Sequence, residues 1–502
     1  MGNSFVKSMQ KENNYTYTEN GALALKSTSS DIVDLFGVIG ALRKRSDSDI
    51  ERLFSKAFAE DALLATRMSF YARNVRGGLG ERRTAKVIWK YLAMTRPEIM
   101  RKNLVYIPHF GRWDDLYVLE GTPVEDEMWE LIKIQFEEDL AALNNGSAKK
   151  EGISLLAKWL KSVNTSNHES RRLGKKTARK LGLSDKEYRK SLSRMRAFLD
   201  VVEVKMSANE WDKIKYSGVT SRAMTIYRNA FERHDEEGFN AYKESLVSGE
   251  TKVNASTLFP YNIMEAYDLS FSANWRDSYL TMRRPYDTIL EEQWKALPNY
   301  VEGENNVLVM ADTSGSMSGR PLMTSIGLAM YFAERNRGVF KDVFMTFSNN
   351  PKFVTLKGDT LYDRVKSVES IVENTDIERA FQLILDTAVE NNIPADEMPK
   401  ALIIISDMEF DYQVNGNDKH NLYYDRFVEM YAEAGYVIPT IIFWNVDSRQ
   451  DTFHVVSDKK GVQLASGQST STFKTILQNI GKTPYEAVLE VLYAPEYDMI
   501  TI

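Results

Sequence analysis

Residues 307–321, VLVMADTSGSMSGRP, decide the fold of this chain. A short apolar run ends in Asp312, and Ser314 and Ser316 follow at alternate positions around Gly315. Central strands of a parallel sheet are apolar on both faces, and ligands bind at the edge where such strands end. The stretch therefore predicts a buried strand and then a loop of oxygen-bearing side chains. A metal site, a catalytic serine, an aspartic-protease loop and a helix cap are all compatible with it.

The same alternation continues along the C-terminal part of the chain. Apolar runs of strand length separate amphipathic segments of helix length from residue 300 onward. These runs are NVLVMAD, KDVFMTFS, KFVTLKG, KALIIISD, VIPTIIFWNV and GVQLASG. Strands that alternate with helices predict βα units and a mostly parallel sheet. We assign residues 300–485 to this α/β domain and residues 486–502 to a C-terminal segment.

The part of the chain before residue 300 has a different pattern. From 31 to 295, apolar residues recur at helical spacing in segments joined by short breaks. Ser184 and Glu187 stand at capping-box spacing at the start of one such helix. Many amphipathic helices with short loops favour a stacked array of helical pairs. Residues 1–30 are polar, and we interpret them as an N-terminal arm.

Composition excludes several classes of protein. The chain has 502 residues, enough for two or three domains, and no cysteine, which rules out disulfides, thiolate zinc sites and a cysteine nucleophile. The start of the chain lacks the apolar core of a signal peptide, and the run YVIPTIIFW is too short to span a bilayer. We expect a cytoplasmic protein without a membrane partner.

Charge is divided between the two parts of the chain. Residues 301–502 contain 17 Lys and Arg against 29 Asp and Glu, whereas residues 1–300 contain 47 against 41. Between residues 149 and 196 there are 15 Lys and Arg and only 4 Asp and Glu. Cations at three- and four-residue spacing on a helix attract nucleic-acid phosphates, although a charged run is often only a solvated face. No feature indicates DNA specificity.

A second aspartate follows another buried strand, since Asp407 comes directly after ALIIIS. Carboxylates and hydroxyls suit Mg²⁺ or Mn²⁺, whereas zinc would favour histidine or cysteine. A hydrolase nucleophile would need a G-x-S-x-G turn and a partner histidine, and an aspartic protease would need glycine where Ser314 stands. Helix capping explains Ser314 or Ser316 alone. A phosphate loop at IGKT lacks its first glycine, because Ile476 is there.

The segments DTSGS, NTDIERAF and IIISDME together resemble a von Willebrand factor A domain with its metal-ion-dependent adhesion site. The resemblance implies a divalent cation with a free coordination position for the carboxylate of a partner protein. It assigns the metal ligands to Asp312, Ser314, Ser316, Thr375 and Asp407. Met408 departs from the pattern, because many relatives have glycine there, and a methionine would narrow the site.

The N-terminal part resembles the TROVE module of Ro autoantigen-like proteins, in particular a phage and plant branch. The stretches that carry this resemblance include TENGALALKSTSSDIVDLF, ARNVRGGLGERR, YIPHFGRWDDLYVL and LGLSDKEYRKSLSRMRAFLDVVEVKM. It implies a ring or arc of HEAT-like helical repeats, joined by the A domain, that binds small structured, misfolded or single-stranded RNA. The candidate RNA-binding residues are Arg171, Arg172, Lys175, Lys176, Arg179, Lys180, Arg189 and Lys190. Arg112 and Trp113 are candidates for base contact, with core packing as the alternative for Trp113.

The sequence therefore predicts an α + α/β protein that acts as a non-enzymatic, RNA-binding component of a ribonucleoprotein, with Mg²⁺ or Mn²⁺ in its A domain. Two alternatives stay open. One is a metal-dependent protein-interaction scaffold that binds no RNA, and the weaker one is a metal-dependent nuclease that uses Asp312 and Asp407.

Overall fold

The computed structural model describes residues 9, 13–273, 278–301, 306–347, 351–368, 376–411 and 423–502. An α-rich N-terminal region precedes a C-terminal, mostly parallel sheet of six strands with helices around it. The fold class is therefore α + α/β, as predicted. Within the described residues, no helix is both long and apolar enough to cross a membrane.

The N-terminal region contains short helices, a hairpin at its start and a second strand pair near its end. In chain order its elements are β1 (Tyr15–Tyr17), β2 (Leu23–Leu25), α1 (Asp31–Val38), α2 (Asp47–Glu60), α3 (Ala62–Arg73), α4 (Arg82–Thr95), α5 (Pro97–Asn103), α6 (Ile107–Phe110), α7 (Glu125–Asn145), α8 (Ala148–Glu151), α9 (Leu156–Trp159), α10 (His168–Lys180), α11 (Asp185–Phe198), α12 (Val202–Ser207), α13 (Ser221–His234), α14 (Glu236–Val247), α15 (Pro260–Ala266), β3 (Leu269–Ala273), β4 (Ser278–Met282) and α16 (Thr288–Lys295). Turns of 3₁₀-helix lie at Leu42–Lys44, Leu104–Tyr106, Trp113–Leu119, Trp211–Lys213 and Tyr216–Gly218.

Side-chain caps begin several of these helices. Ser30, Ser46 and Asp61 each accept a backbone N–H from the first turn of the helix that follows. The predicted capping box of α11 is confirmed, because Ser184 and Glu187 each bind the other's backbone N–H. Local sequence therefore fixes where these helices begin.

The C-terminal region forms the α/β sheet. Its elements are β5 (Val307–Asp312), α17 (Arg320–Arg335), β6 (Val343–Phe347), β7 (Lys352–Thr355), α18 (Leu361–Lys366), α19 (Ile377–Glu390), β8 (Ala401–Ser406), α20 (Tyr423–Glu433), β9 (Thr440–Asn445), β10 (Val462–Ser466), α21 (Ser471–Gln478) and α22 (Pro484–Leu492), with 3₁₀ turns at Gly315–Met317 and Pro495–Tyr497. The strand order is β10-β9-β8-β5-β6-β7. All neighbours are parallel except β6 and β7, which are antiparallel.

Strands β5 and β8 lie side by side at the centre of the sheet. Every residue of both strands is buried, as the apolar runs predict. Ala311 pairs with Ile405, so the two strands end at the same edge. Alternate residues face opposite sides of the sheet and enter two different apolar clusters.

One face of the sheet shares its core with the N-terminal helices. Leu308 and Ile404 belong to the same buried cluster as Leu35 and Trp89 of the helical region. The other face packs against α17, and its cluster joins Val309 to Ile263 and Trp294 of the helical region. The helical region and the sheet therefore fold around common apolar contacts, and apolar burial is the main favourable term in folding.

Close backbone contact joins the end of α1 to the end of β10. The backbone N–H of Gly40 donates to Ser466 Oγ at 3.0 Å, and this hydroxyl donates to the carbonyl of Phe36 at 2.9 Å. A Cβ atom on Gly40 would lie 2.6 Å from the Cα atom of Gly467. Only glycine fits at position 40 unless the backbone at the end of α1 or of β10 moves.

Residues 13–30 cover part of the sheet edge. Thr18 Oγ1 donates to the carbonyl of Phe410 at 2.7 Å, and Asn20 Nδ2 donates to that of Glu409 at 2.7 Å. Leu25 and Phe453 exchange both backbone hydrogen bonds, at 2.7 and 2.9 Å. The described part of the predicted N-terminal arm is thus paired with the sheet domain.

The C-terminal segment returns to the helical region. Arg67 of α3 donates to the carbonyl of Leu492 at 3.1 Å, and Asn74 donates to the Tyr497 hydroxyl at 3.0 Å. The Tyr497 ring stacks on Phe110 with 5.5 Å between centroids. Both ends of the described chain therefore connect the two regions.

One prediction for the N-terminal region was wrong. The region from 31 to 295 is not entirely helical, because β3 and β4 form an antiparallel pair. The segment from 185 to 207 forms two helices, α11 and α12. Asp200 lies between them with a left-handed φ of 50°, which interrupts a right-handed helix.

Substitution Gly40→Ala tests the contact between α1 and β10. We expect it to lower the free energy of unfolding by about 1 to 3 kcal/mol, because the added methyl group overlaps the backbone at Gly467. Urea unfolding followed by circular dichroism measures the change. Gly218→Ala is the matched control, since a Cβ there meets nothing within 4 Å. Equal stability of the two variants would contradict the assigned contact.

Candidate functional site

The carboxyl ends of β5 and β8 bring the predicted oxygen ligands together. Asp312 is the last residue of β5, and Asp407 directly follows β8 on the neighbouring strand. Both side chains are buried, with 0% and 1% of their surface exposed. We call Asp312, Ser314, Ser316 and Asp407 the sheet-edge site. Thr375 lies outside the described residues.

The loop after β5 turns its hydroxyls back toward Asp312. The Ser314 backbone N–H donates to Asp312 Oδ1 at 2.9 Å, and the Ser314 and Ser316 hydroxyl oxygens lie 3.0 Å apart. The 3₁₀ turn at Gly315–Met317 produces this geometry. Ser406, at the end of β8, donates its hydroxyl to Asp312 Oδ2 at 2.5 Å. The Asp312 carboxylate is thus fixed from both strands.

The carboxylate of Asp407 accepts fewer hydrogen bonds than that of Asp312. Its Oδ1 atom accepts the backbone N–H of Glu409 at 3.2 Å. Its Oδ2 atom is buried and has no well-aligned hydrogen-bond donor among the described residues, although the Arg449 guanidinium is 3.3 Å away. Met408 adopts a left-handed φ of 66°, the conformation that glycine favours, which explains why glycine suits this position.

The electrostatics of the site follow from burial. Burial, followed by repulsion from Asp407, raises the pKa of Asp312 from 3.8 to about 7. Burial likewise raises the pKa of Asp407, against the Ser316 hydroxyl and the Glu409 N–H, which favour its ionised form. The pKa of Glu409 also rises to about 7, chiefly by burial. The site therefore gathers carboxyl groups whose ionisation is unfavourable, because water does not solvate their charge.

Arg449 lies at the rim of the sheet-edge site. Its guanidinium donates to the Ser316 carbonyl at 2.6 Å and to Glu19 Oε2 at 3.1 Å. The Glu19 backbone N–H in turn donates to Glu409 Oε2 at 2.6 Å. Arg449 therefore compensates part of the carboxylate charge and links the site to the N-terminal hairpin.

Sequence reasoning missed Ser406, Glu409 and Arg449. Ser406 and Glu409 flank Asp407, so inspection of its neighbours would have found them. Arg449 follows the end of β9, whose carboxyl end reaches the same edge of the sheet. The connection to Glu19 had no sequence signal, because 430 residues separate the two side chains.

The donor set determines what could bind at this edge. Within the described part of the chain, no group of three or more His, Asp or Glu side chains is placed to hold a metal ion. The sheet-edge site offers two carboxylates and two hydroxyls, a set that suits a hard cation with several retained waters.

The predicted RNA-binding residues fall into two groups, one that forms ion pairs and one that does not, and both groups have members on α10. Arg172, Lys176 and Lys180 follow at i+4 spacing and form the paired stripe. Lys176 binds Glu120 and Glu125 at 2.7 and 2.6 Å, and Arg172 binds Glu120 at 2.6 Å. Lys180 binds Asp126 at 3.1 Å.

These ion pairs connect α10 to the start of α7. Hydrogen bonds from Arg172 and Lys176 lower the pKa of Glu120 to about 2. The paired stripe is therefore largely neutralised within the protein.

The remaining five candidates form a group that we call the basic surface. All five are exposed and, within the described residues, make no ion pair. They are Arg171, Lys175, Arg179, Arg189 and Lys190. Arg171, Lys175 and Arg179 follow at i+4 spacing and share one face of α10, whereas Arg189 and Lys190 lie on α11, which contacts α10. All five present to solvent a positive charge that has no ion-pair partner in the described structure.

The segment HFGRWDDL forms a buried ionic network. Asp115 binds Arg73 and Arg82, each at 2.8 Å, and Asp114 binds Arg112 at 2.7 Å. Arg82 also binds Asp114 at 2.8 Å. Arg73 and Arg82 of the segment ARNVRGGLGERR thus pair with these acids, and Trp113 is half-buried against the apolar core.

Comparisons with known proteins divide the chain near the start of the sheet. The model of the Domain of unknown function (DUF2828) matches residues 18–128 and 126–305, and that of the Domain of unknown function (DUF7788) matches residues 306–492. Uncharacterized protein L728 of Acanthamoeba polyphaga mimivirus is 28% identical over 517 residues, which cover 95% of this chain and 87% of that protein. The similarity to this relative therefore extends across both regions.

The buried charge of Asp312 predicts how stability depends on pH. The folded protein holds the Asp312 proton up to about pH 7, whereas the unfolded chain releases it near 3.8. Ionisation of Asp312 therefore lowers the free energy of unfolding of the metal-free protein as pH rises from about 4 to about 7. Asp312→Asn keeps the acceptor for the Ser314 N–H without the charge, so this variant should unfold at higher urea concentration above that range.

Urea unfolding in the presence of a chelator, repeated across this pH range, measures the effect. Asp359→Asn removes an exposed carboxylate that makes no ion pair in the described structure, and it should follow the wild-type profile. A parallel pH profile for Asp312→Asn and wild type would show that Asp312 is not the responsible group.

Proposed function

The chain belongs to the family of the Domain of unknown function (DUF2828), and we propose that it is a non-enzymatic, RNA-binding component of a ribonucleoprotein. The observation that carries the proposal is the basic surface. Five exposed cations on α10 and α11 have no carboxylate partner among the described residues, whereas the neighbouring paired stripe does. Such a surface attracts phosphates and releases their counterions.

The division of α10 supports a binding role over a solvated face. The paired stripe orients the helix through its ion pairs with Glu120, Glu125 and Asp126. The side chains of the basic surface take no part in these ion pairs. Arg171, Lys175 and Arg179 are left available at regular spacing along a fixed helix. RNA would bind mainly through its backbone at this surface.

We further propose that the sheet is an A domain that braces a ring or arc of helical repeats of TROVE type. Contacts between the helical region and the sheet support this proposal. Gly40 packs on β10, and Tyr497 packs on the helical region. An RNA bound on the helices would then meet a rigid support.

We propose a divalent cation, Mg²⁺ or Mn²⁺, at the sheet-edge site. The unsatisfied Oδ2 of Asp407, the buried Asp312 and the two hydroxyls fit such an ion, and Thr375 would complete the set. When bound, the cation supplies positive charge to this edge and a position for a partner's carboxylate. Arg449 partly fills the same electrostatic role, so cation binding should weaken its contact with Asp407.

A protein-interaction scaffold is the second candidate, favoured by the same buried carboxylates. The two functions are separable through Asp312. If RNA binding depends on the basic surface, Asp312→Asn should keep the RNA affinity of wild type. A scaffold that depends on the metal should lose its protein partner with the same substitution.

Charge reversal at Arg171, Lys175 and Arg179 tests RNA binding. We expect the triple Glu variant to bind single-stranded RNA more than about tenfold less tightly at low salt. Each lost phosphate contact should also reduce the salt slope of log K by about 0.7. Fluorescence anisotropy with a labelled oligoribonucleotide at several salt concentrations measures both quantities.

The matched control reverses Lys56, Lys341 and Lys474, three exposed lysines elsewhere that make no ion pair in the described structure. This variant has the same net charge, so a purely long-range effect would weaken both variants equally. Equal loss, or wild-type affinity in the first triple variant, would contradict the assignment of the basic surface.

Mg²⁺ or Mn²⁺ should raise the unfolding temperature of wild type and not of Asp312→Asn. At a free cation concentration about ten times its dissociation constant, the gain is about 1.4 kcal/mol. The gain should be larger above about pH 7 than near pH 5, because protons compete for Asp312. Differential scanning fluorimetry measures the shift, and an equal shift in both proteins would argue against cation binding at this edge.

A further inference from the structure

A cleft of about 670 Å³ lies between α9, the end of α11, α12 and α13. Its volume falls within the range of about 300 to 1,000 Å³ that is usual for ligand sites. We call it the stacking cleft and define it by Arg112, Lys158, Trp159, Arg196, Arg222 and Tyr227. None of these residues belongs to the basic surface, although Arg196 lies in the last turn of the helix that carries Arg189 and Lys190.

The charged side chains of the cleft are mostly cationic. Arg112, Lys158, Arg196 and Arg222 line it together with one acidic side chain, Glu203, and with neutral residues. Arg112 and Arg222 also bind carboxylates, Asp114 at 2.7 Å and Glu265 at 3.5 Å. Arg196 donates to the carbonyls of Ala157 and Leu160 at 2.8 and 2.7 Å, and to the Ser162 hydroxyl at 2.9 Å. These acceptors are neutral, so the Arg196 guanidinium is held in place without a neutralising carboxylate in the described structure. An anionic ligand would supply that charge.

Trp159 gives the cleft a flat, rigid surface. The Arg112 guanidinium lies over its ring at 3.7 Å from the centroid. Asp114 holds the same guanidinium through two hydrogen bonds, at 2.8 and 2.7 Å. Trp159 is half-buried, whereas its neighbours Leu156 and Leu160 lie in the apolar core. A fixed arginine thus covers one face of the indole, and the indole is not part of the apolar clusters of the described residues.

Apolar side chains complete the lining from α12 and α13. Ile226 is 57% exposed and Val204 is 38% exposed. Large apolar groups beside cations are unusual on a surface that binds phosphates alone. Single-stranded nucleic acid is bound by a combination of groups. Its bases stack on aromatic groups and contact apolar groups, and its backbone phosphates bind nearby cations.

We propose that the stacking cleft binds one unpaired nucleotide of a single-stranded RNA. The base packs against the aromatic and apolar lining, and the adjoining phosphates bind Lys158, Arg196 and Arg222. Bases of a duplex are stacked inside the helix and cannot enter. This inference rests on the proposed RNA-binding function and adds a preference for unpaired RNA.

Trp159→Ala is the first test, made in the full chain. Loss of one stacking contact should weaken binding of a labelled single-stranded oligoribonucleotide by about 5- to 150-fold. Affinity for the same oligonucleotide annealed to its complement should be unchanged, and so should the salt slope. Trp159→Phe should restore most of the single-strand affinity.

The matched control is Tyr493→Ala. Tyr493 is an exposed aromatic residue with an arginine, Arg67, 5.4 Å from its ring centroid, and it does not line the cleft. This variant should bind both RNAs as wild type does. Ile226→Glu provides a second test that does not involve the core, because its exposed side chain can be exchanged without a cavity. It should also weaken single-strand binding selectively.

The outcomes separate this inference from the proposed function. Wild-type protein that binds neither RNA would overturn both. If Trp159→Ala and Ile226→Glu bind single-stranded RNA as wild type does while the basic-surface variant loses affinity, the assignment of nucleotide binding to the cleft is wrong and the proposed function stands. Equal weakening of duplex and single-strand binding by Trp159→Ala would overturn the base-binding assignment. Binding of an acidic, tyrosine-containing peptide that depends on Trp159, without binding of RNA, would also overturn it.

Discussion

Two adjacent buried carboxylates, Asp114 and Asp115, organise the helical region. They bind Arg73, Arg82 and Arg112, and also Lys86 and Lys161, which come from separate parts of the chain. Removal of one carboxylate would leave several cations beside an uncompensated buried site, a change that costs far more than an exposed ion pair. The same network fixes Arg112 over Trp159, so it also determines the geometry of the stacking cleft.

The two candidate regions of this protein handle charge in opposite ways. At the sheet edge, carboxylates are buried with too few donors, and Arg449 compensates only part of their charge. On α10 and α11, cations stay in solvent while a neighbouring stripe is neutralised by acids from α7. The first arrangement suits a small cation that needs few contacts, and the second suits an extended polyanion. The two arrangements lie on different elements, so the proposed cation and the proposed RNA would not compete for the same side chains.

Much of the fold was predictable because its rules are local. Apolar runs gave the strands, alternation gave the parallel sheet, and Ser184 with Glu187 gave the start of α11. The convergence of Asp312 and Asp407 followed from the direction of parallel strands. The choice between free and paired cations was not predictable, because Glu120 lies 52 residues before Arg172 in the chain. Arg449 and Trp159 were missed for the same reason, since tertiary packing places them.

The two stripes of α10 have a consequence for the evolution of this sequence. Lys176 is bound to Glu120 and Glu125, so a change of charge at any of these positions requires a compensating change at another. Covariation among relatives should therefore concentrate on the paired stripe and its acids. Arg171, Lys175 and Arg179 have no such partner in the described structure and can move along the helix face while their total charge is kept. Drift in position with constant charge would mark the surface under selection for a ligand.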